Sequence, residues 1–521
     1  MTGVRPVRRG SIRRGPQAAG TAAAAPPVRV AVVGAGAAGT LTALHLVRGA
    51  RARGTLLEVV VVDPAAELGR GTAFGTTDDR HLLNVPAVGM SALPDRSQHF
   101  VEWRRQRGAS VGNDLHVFAP RREYSRYLED TLWEELRAAA DTVRLEHRRA
   151  WVTGIEPVAP GSVATGSRPW RLVCHGARPV EADAFVVATG LPEAGTAWAP
   201  ESLLRSSSFV VDPWAPGALE AVARDRRGLA DVLVVGSGLT MVDVALTVLG
   251  RTARHDRRLT AVSRSGLLPG AHADRPLPAA VPDVTDWPHD LEGIVARATR
   301  HLHEVRDGAG DWRPAVDGLR FRVAELWSRL EEPERAEFLT RYAGPWGRLR
   351  HRMPPSSAAR VDAFRAAGRL EVRADRVVDA RCLGAGGVRV TLASGEVREV
   401  GWVVNCTGPA LDVRASGNHL LADLLRPRPD GPLASAATAG MGLRTHGGRL
   451  LAADGGASAA PVWVLGALRR GELLESTAVP EIRVQAQQVA ESLLGTFGPV
   501  PGRTAASAAA GREVGVAVAT G

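Results

Sequence analysis

Two stretches of the chain pass from an unbroken apolar run into glycines and then into apolar residues at helical spacing. They are VRVAVVGAGAAGTLTALHLV from Val28 and VLVVGSGLTMVDVA from Val232. Strands of a parallel sheet are buried on both faces and read as continuous Val-rich runs, whereas half-exposed strands alternate. The pattern therefore predicts strand, tight turn and helix at both places. A matching series follows each start. After the first come EVVVVDP, closing on Asp63, then a meander and FVVATGLP from Phe185 to Pro192; after the second come LTAVSRSG through Arg264, RVTLASGEVREV and WVVNCTGP from Trp402 to Pro409. Gly34 to Gly190 spans 156 positions and Gly236 to Gly408 spans 172, so one supersecondary plan is used twice.

The expected fold class is α/β, with two Rossmann-like dinucleotide-binding domains, each a βαβ-based parallel sheet with a small antiparallel meander as its crossover. A block at about 286–355 is extra to the second copy, and Leu319, Val323, Leu326 and Leu330 recur in it at helical spacing, predicting an amphipathic helix. Beyond Pro409 only a strand at Val462–Leu465 and a long helix from about Pro480 stand out. A strand and helix alone cannot bury both faces, so they are expected to return to the first sheet. The organisation expected is a loose leader at 1–27, a first domain made of 28–212 and 411–495, a second domain at 213–410, and a flexible tail at 496–521.

Composition narrows the chemistry. The formal charge of +10 comes from arginine alone, because the sequence contains no lysine. With its Arg, Ala, Gly and Pro content this reads as codon bias, and no nucleic-acid partner is expected. Schiff-base catalysis, pyridoxal phosphate anchoring and the Walker phosphate loop all need an ε-amine and are excluded. Cys174, Cys382 and Cys406 are far apart, with no disulfide framework, zinc spacing or redox pair. The first 27 residues carry five arginines within the first fourteen and no apolar core of signal-peptide type. No apolar span has membrane length, the run from Val232 being broken by Asp243. A cytoplasmic protein is the expectation.

Gly34, Gly36 and Gly39, between a predicted strand and helix with Asp63 closing the next strand, form a full dinucleotide fingerprint. The first glycine allows the turn, the second lets a pyrophosphate approach the backbone, the third lets helix and strand pack, and the acid accepts from ribose hydroxyls. The second fingerprint keeps Gly236 and Gly238 but has Met241 at the third position, and its next strand ends in Ser263-Arg264 in place of an acid. An arginine there can neutralise the 2′-phosphate of NADPH, or can be one more surface arginine. Two such sites point to electron transfer between cofactors: FAD in the first, a visiting NADPH in the second. With no cysteine pair to receive electrons, oxygen is the leading acceptor.

Six ordered blocks resemble one flavoprotein family: LGRGTAFGTTDDRHLLNVPAVGMSAL (68–93), FAPRREYSRYL (118–128), GSGLTMVD (236–243), GPWGRLRHRMPP (344–355), VNCTGP (404–409) and STAVPEIRVQA (476–486). That family contains an FAD-dependent urate hydroxylase and nitrosuccinate-forming L-aspartate N-monooxygenases. The resemblance implies an FAD reduced by NADPH that activates oxygen and delivers it to a small molecule. For the aspartate enzymes, it implies N-hydroxyaspartate and then nitrosuccinate, a source of nitrite in secondary metabolism such as antibiotic biosynthesis. On this reading Gly69 to Ala73 and Asn84 lie beside the flavin ring, though Asn84 also suits a turn. The helix from Pro480 aims its N-terminus at the flavin pyrimidine edge, and Thr477 suits a cap or a flavin hydrogen bond. The inserted block is a lid, or equally a packing or dimer element.

A dicarboxylate needs cations, so Arg121, Arg350 and Arg352 are the candidate substrate arginines and His351 the candidate base for the substrate ammonium. The alternative is that these arginines hold cofactor phosphates or make structural ion pairs. His301 and His303 do not share a helix face and no metal site is expected. The leading function is an FAD- and NADPH-dependent monooxygenase acting on L-aspartate and molecular oxygen, with a homo-oligomer left open. The same machinery acting on urate or another small heterocycle is the alternative, and a non-catalytic nucleotide-binding protein, to which Met241 points, is a third.

Overall fold

A computed structural model describes residues 26–497 apart from 110–113, 159–167, 191–193, 227, 253 and 384–385. The leader up to 25, the tail from 498, and Leu191 and Pro192 of the first exit motif lie outside the described residues.

The first sheet has seven strands in the order Thr445–His446, Arg449–Leu450, Val462–Val464, Ala184–Val187, Val28–Val33, Leu57–Val62, Val143–Arg148. The last five are parallel. Val30, Val32, Val59 and Val61 face one apolar cluster, shared with the helices Ala37–Arg53 and Val479–Gly495. Their neighbours Ala31, Val33, Val60 and Val62 face the opposite cluster, beneath the antiparallel sheet of Trp151–Pro157, Trp170–His175 and Val180–Ala182. Both faces are covered, which is why these strands read as unbroken apolar runs. The late strand Val462–Val464 pairs in parallel with Ala184–Val187, and the last helix packs on the first, so the chain returns to the sheet where it began.

The second sheet is wholly parallel, in the order Leu370–Ala374, Leu259–Ser263, Val232–Val235, Trp402–Asn405, Phe209–Val210. Its meander is the antiparallel sheet Val377–Cys382, Val388–Leu392 and Val397–Val400. The chain joins this sheet at Phe209–Val210, slightly ahead of the crossing expected at 213.

The added block is a set of helices, Leu291–Ala309, Arg313–Arg320, Val323–Arg329, Glu332–Arg341 and Ala343–Arg350. The single amphipathic helix expected through Leu319 and Leu330 is in fact two. Phe321 N–H donates to Gly318 at 3.1 Å and Arg322 N–H to Leu319 at 2.8 Å, three-residue steps that tighten the turn between them. The four apolar positions remain buried. Met441, from the segment returning to the first sheet, joins the cluster of Leu319, Leu326 and Leu330, and Trp327 Nε1 donates to the Gly471 carbonyl at 3.0 Å. The block thus packs onto the first domain's returning segment.

Candidate functional site

Each glycine turn sits where a central parallel strand ends and a helix begins. Gly34 and Gly236 have φ of 106° and 115°, and a Cβ on either would lie within 2.5 Å of a backbone carbonyl, so only glycine fits. The helices that follow, Ala37–Arg53 and Leu239–Arg251, have Gly36 and Gly238 as their N-caps, with no side-chain cap and no acid in the first turn. Their first backbone N–H groups are left for an anion, the arrangement that receives a pyrophosphate.

The two turns differ in what lies over them. Gly71 crosses the first, a Cβ on it meeting the Gly36 Cα at 2.9 Å, and Gly69 N–H donates to the Ala35 carbonyl at 2.8 Å. The Gly69 to Ala73 loop therefore covers the glycine turn itself. Over Gly238 nothing lies within 4 Å of a Cβ position, and that residue is exposed. Asp63 braces the first turn, its carboxylate accepting from Ala35 N–H and Ala65 N–H at 2.7 Å each. It keeps lone pairs for a ribose hydroxyl. In the second, Ser263 Oγ meets Ser237 Oγ at 2.8 Å and accepts from Gly266 N–H at 3.0 Å, which shapes the turn beside the exposed Arg264. Gly39 is indispensable, since a Cβ there would sit 1.8 Å from the Gly34 carbonyl oxygen. Met241, in the equivalent place, instead points into the second core and is fully buried.

The proposed substrate arginines separate into three environments. Arg121 donates from Nη2 to Asp243 Oδ2 at 2.6 Å and from Nε to the Leu82 carbonyl at 3.1 Å, and stacks near Trp214. It pairs with a buried carboxylate on the helix after the second glycine turn, an ion pair of the kind expected as the alternative to a substrate role. Burial raises the Asp243 carboxyl, and Arg121 opposes that shift. His81 completes this junction, its Nε2 2.8 Å from Thr247 Oγ1. Arg352 is buried and pairs with Asp317.

Arg350 is different. It ends the helix Ala343–Arg350, is 5% exposed, and its Nε and Nη2 have no hydrogen-bond partner among the described residues. Glu475 Oε2 stands 3.6 Å from Nε and Glu481 Oε1 4.0 Å from Nη2. Glu481 Oε2, on the carboxylate that faces Arg350 Nη2, and Ser476 Oγ, on the residue after Glu475, are also buried without a partner among the described residues. Such atoms are costly to leave unpaired in a folded protein. Burial, then Arg350, holds the His351 imidazole down to about 4, against the pull of Glu475, so it is neutral near pH 7. Burial pushes the Glu475 carboxyl up, but Arg350, His351 and a hydrogen bond from Trp346 outweigh it and keep the group below the usual carboxylate range.

Glu475, Glu481 and Arg483 were not singled out from sequence, although the last two fall within the block STAVPEIRVQA and Glu475 immediately precedes it. One expectation is narrowed. The helix Val479–Gly495 has Ala478 as N-cap with no side-chain cap, so Thr477 is not its cap. Asn84 contributes its backbone carbonyl, which accepts from His272 Nε2 at 3.0 Å. His301 is likewise used locally, its ring 2.9 Å from the Ala280 carbonyl.

Comparison with known proteins agrees with this geometry. Residues 31–192 match a family model described as FAD-NAD(P)-binding. No curated protein matches the chain. Among solved structures, an ornithine N-hydroxylase of Kutzneria sp. 744 superposes with a TM-score of 0.56 at 18% identity, over 91% of this chain and 100% of that one. An L-lysine 6-monooxygenase from Pseudomonas syringae gives 0.56 at 18% identity over 90% and 99%. A cadaverine monooxygenase from Erwinia amylovora, solved with FAD, gives 0.53 at 13% identity over 90% and 95%. The two-cradle fold is that of FAD- and NAD(P)-binding proteins.

Proposed function

We propose that the chain is an FAD- and NADPH-dependent monooxygenase that N-oxygenates L-aspartate to nitrosuccinate. The observation that carries this reading is the coexistence of two uncapped glycine cradles with a buried Arg350 guanidinium that has only long ion pairs, to Glu475 and Glu481, and no hydrogen bond at Nε or Nη2 among the described residues. The structural likeness to an ornithine N-hydroxylase and to monooxygenases of lysine and cadaverine supports it.

The first cradle, with Gly34, Gly36, Gly39 and Asp63, would hold FAD, a reading supported by free helix N–H groups and a carboxylate with lone pairs to spare. The second, with Gly236, Gly238, Ser263 and Arg264, would hold NADPH, a reading supported by the open space over Gly238. When bound, FAD supplies the redox and oxygen chemistry that none of these side chains has. The side chains bind and position. Arg350, the substrate arginine left without a hydrogen-bond partner, offers a carboxylate two N–H groups. His351, neutral near pH 7, has a ring nitrogen free of charge that can accept a hydrogen bond from the amino group of an amino acid, although its lowered value makes it a weak base. Burial around Arg350 excludes water and strengthens both contacts.

The test is product analysis. The purified protein with NADPH and oxygen should convert L-aspartate to nitrosuccinate, detected by mass spectrometry, and release nitrite when a nitrosuccinate lyase is added. Turnover of urate without turnover of aspartate would transfer the same machinery to a heterocycle.

A further inference from the structure

Leu474 has φ 59° and ψ −57°, and the N–H of Glu475 donates back to the Leu473 carbonyl at 2.7 Å. This is the strained hand of the γ-turn, in a region of backbone space that side chains other than glycine rarely enter. Such strain persists where surrounding contacts impose it, and here the residue it aims is Glu475. That carboxylate is 11% exposed and accepts from Trp346 Nε1 at 2.9 Å. A close guanidinium–carboxylate pair would shorten to roughly 2.7–2.9 Å, each ion offsetting the other's loss of hydration. Arg350 and Glu475 stop at 3.6 Å instead, with no hydrogen bond at Arg350 Nε or Nη2 among the described residues, and the fully buried Ser476 Oγ, next in the chain after Glu475, has none either.

Two opposite charges buried together but not closed on each other retain capacity for a molecule that carries both signs. We infer that Glu475 binds the ammonium of a zwitterionic amino acid whose carboxylate is taken by Arg350. Glu481 is the weaker alternative: its Oε2 is unpartnered, but its charge is already met by Arg320, which donates to Oε1 from both Nε and Nη2, whereas the Glu475 carboxylate, among the described residues, accepts only from the uncharged Trp346. An uncharged ring would leave both ions unmatched. The inference rests on the functional reading above and adds to it the group that recognises the amine.

The experiment is calorimetric titration of the oxidised, FAD-loaded protein with L-aspartate and with succinate, which lacks only the ammonium. L-Aspartate should bind at least tenfold more tightly, and Glu475→Gln should bring the ratio close to one. Equal affinities in the wild type, no binding of L-aspartate, or an undiminished preference in the variant would each overturn the assignment. If Glu475→Gln does not fold, N-acetyl-L-aspartate decides: it keeps both carboxylates, loses the cationic nitrogen, and should bind the wild type as weakly as succinate. Comparable binding of N-acetyl-L-aspartate and L-aspartate would refute the role of Glu475. NADPH bleaching of the flavin in the same preparation separates the two failures. Bleaching without amine preference sinks this inference alone, whereas preference without bleaching sinks the oxygenase reading alone.

Discussion

Arg121 Nη2 reaches Asp243 Oδ2 at 2.6 Å across 122 residues of sequence, joining the start of the helix Arg121–Ala138 to the helix that follows the second glycine turn. Both side chains are largely buried. Breaking a buried pair on one side leaves an uncompensated charge and costs about 3–5 kcal/mol. Arg121→Met is therefore expected to lower unfolding free energy by about that amount in chemical denaturation, and Arg121→Met with Asp243→Leu to recover most of it. A variant of unchanged stability whose defect is confined to substrate KM would place Arg121 in the substrate site.

The glycines of the second turn separate structure from function. Gly236→Ala should destabilise the protein, because φ is 115° and the new Cβ would lie 2.2 Å from the Cys406 carbonyl oxygen. Gly238→Val meets open space and an ordinary backbone, with φ of −80°, so its melting temperature should stay near the wild-type value. Its side chain would occupy the place of a pyrophosphate, and the KM for NADPH should rise at least tenfold. Unchanged kinetics in a folded Gly238→Val protein would mean that nothing binds over that turn.

Arg264 is exposed and makes no ion pair among the described residues, which leaves its charge available to a phosphate. A hydrogen bond to a charged group contributes about 1.5–3 kcal/mol, or roughly 10- to 150-fold. Arg264→Ala should weaken NADPH by a factor in that range while NADH kinetics stay within about twofold. Equal effects on the two coenzymes would show that Arg264 does not read the 2′-phosphate.

Acid should unfold the protein through histidines buried in the neutral form. Burial lowers His45 and His272 to about 4 from an ordinary value of 6.5. The unfolded chain then binds more protons than the folded one between those values, so stability is complete above about pH 6.5 and falls as pH drops toward 4. Each group contributes up to about 3 kcal/mol across that window. Denaturation midpoints measured from pH 7 to 4 should decline, and His45→Gln should flatten the decline. A flat profile in the wild type would contradict the burial of these rings.

The architecture was legible because it rests on local rules. Val-rich runs, glycines with obligatory φ, and the repeat of one plan located both parallel sheets and the returning strand Val462–Val464. What lay beyond reach was pairing over long distance. An arginine's charge is visible in sequence but its partner is not, so Arg121, held closely by Asp243, and Arg350, with only long ion pairs, read alike. The break after Arg320 was hidden because the apolar spacing survives a tightened turn. Glu475 gave no signal, because its role depends on strain at Leu474 and on Trp346, 129 positions away.

The account stands on a hydride donor in the second cradle reaching a flavin held in the first. Anaerobic mixing of the purified, yellow protein with NADPH, followed by absorbance, measures this directly. The flavin bands should bleach, and return when oxygen is admitted. A colourless protein that takes up no FAD, or bound flavin that NADPH leaves oxidised, would contradict it.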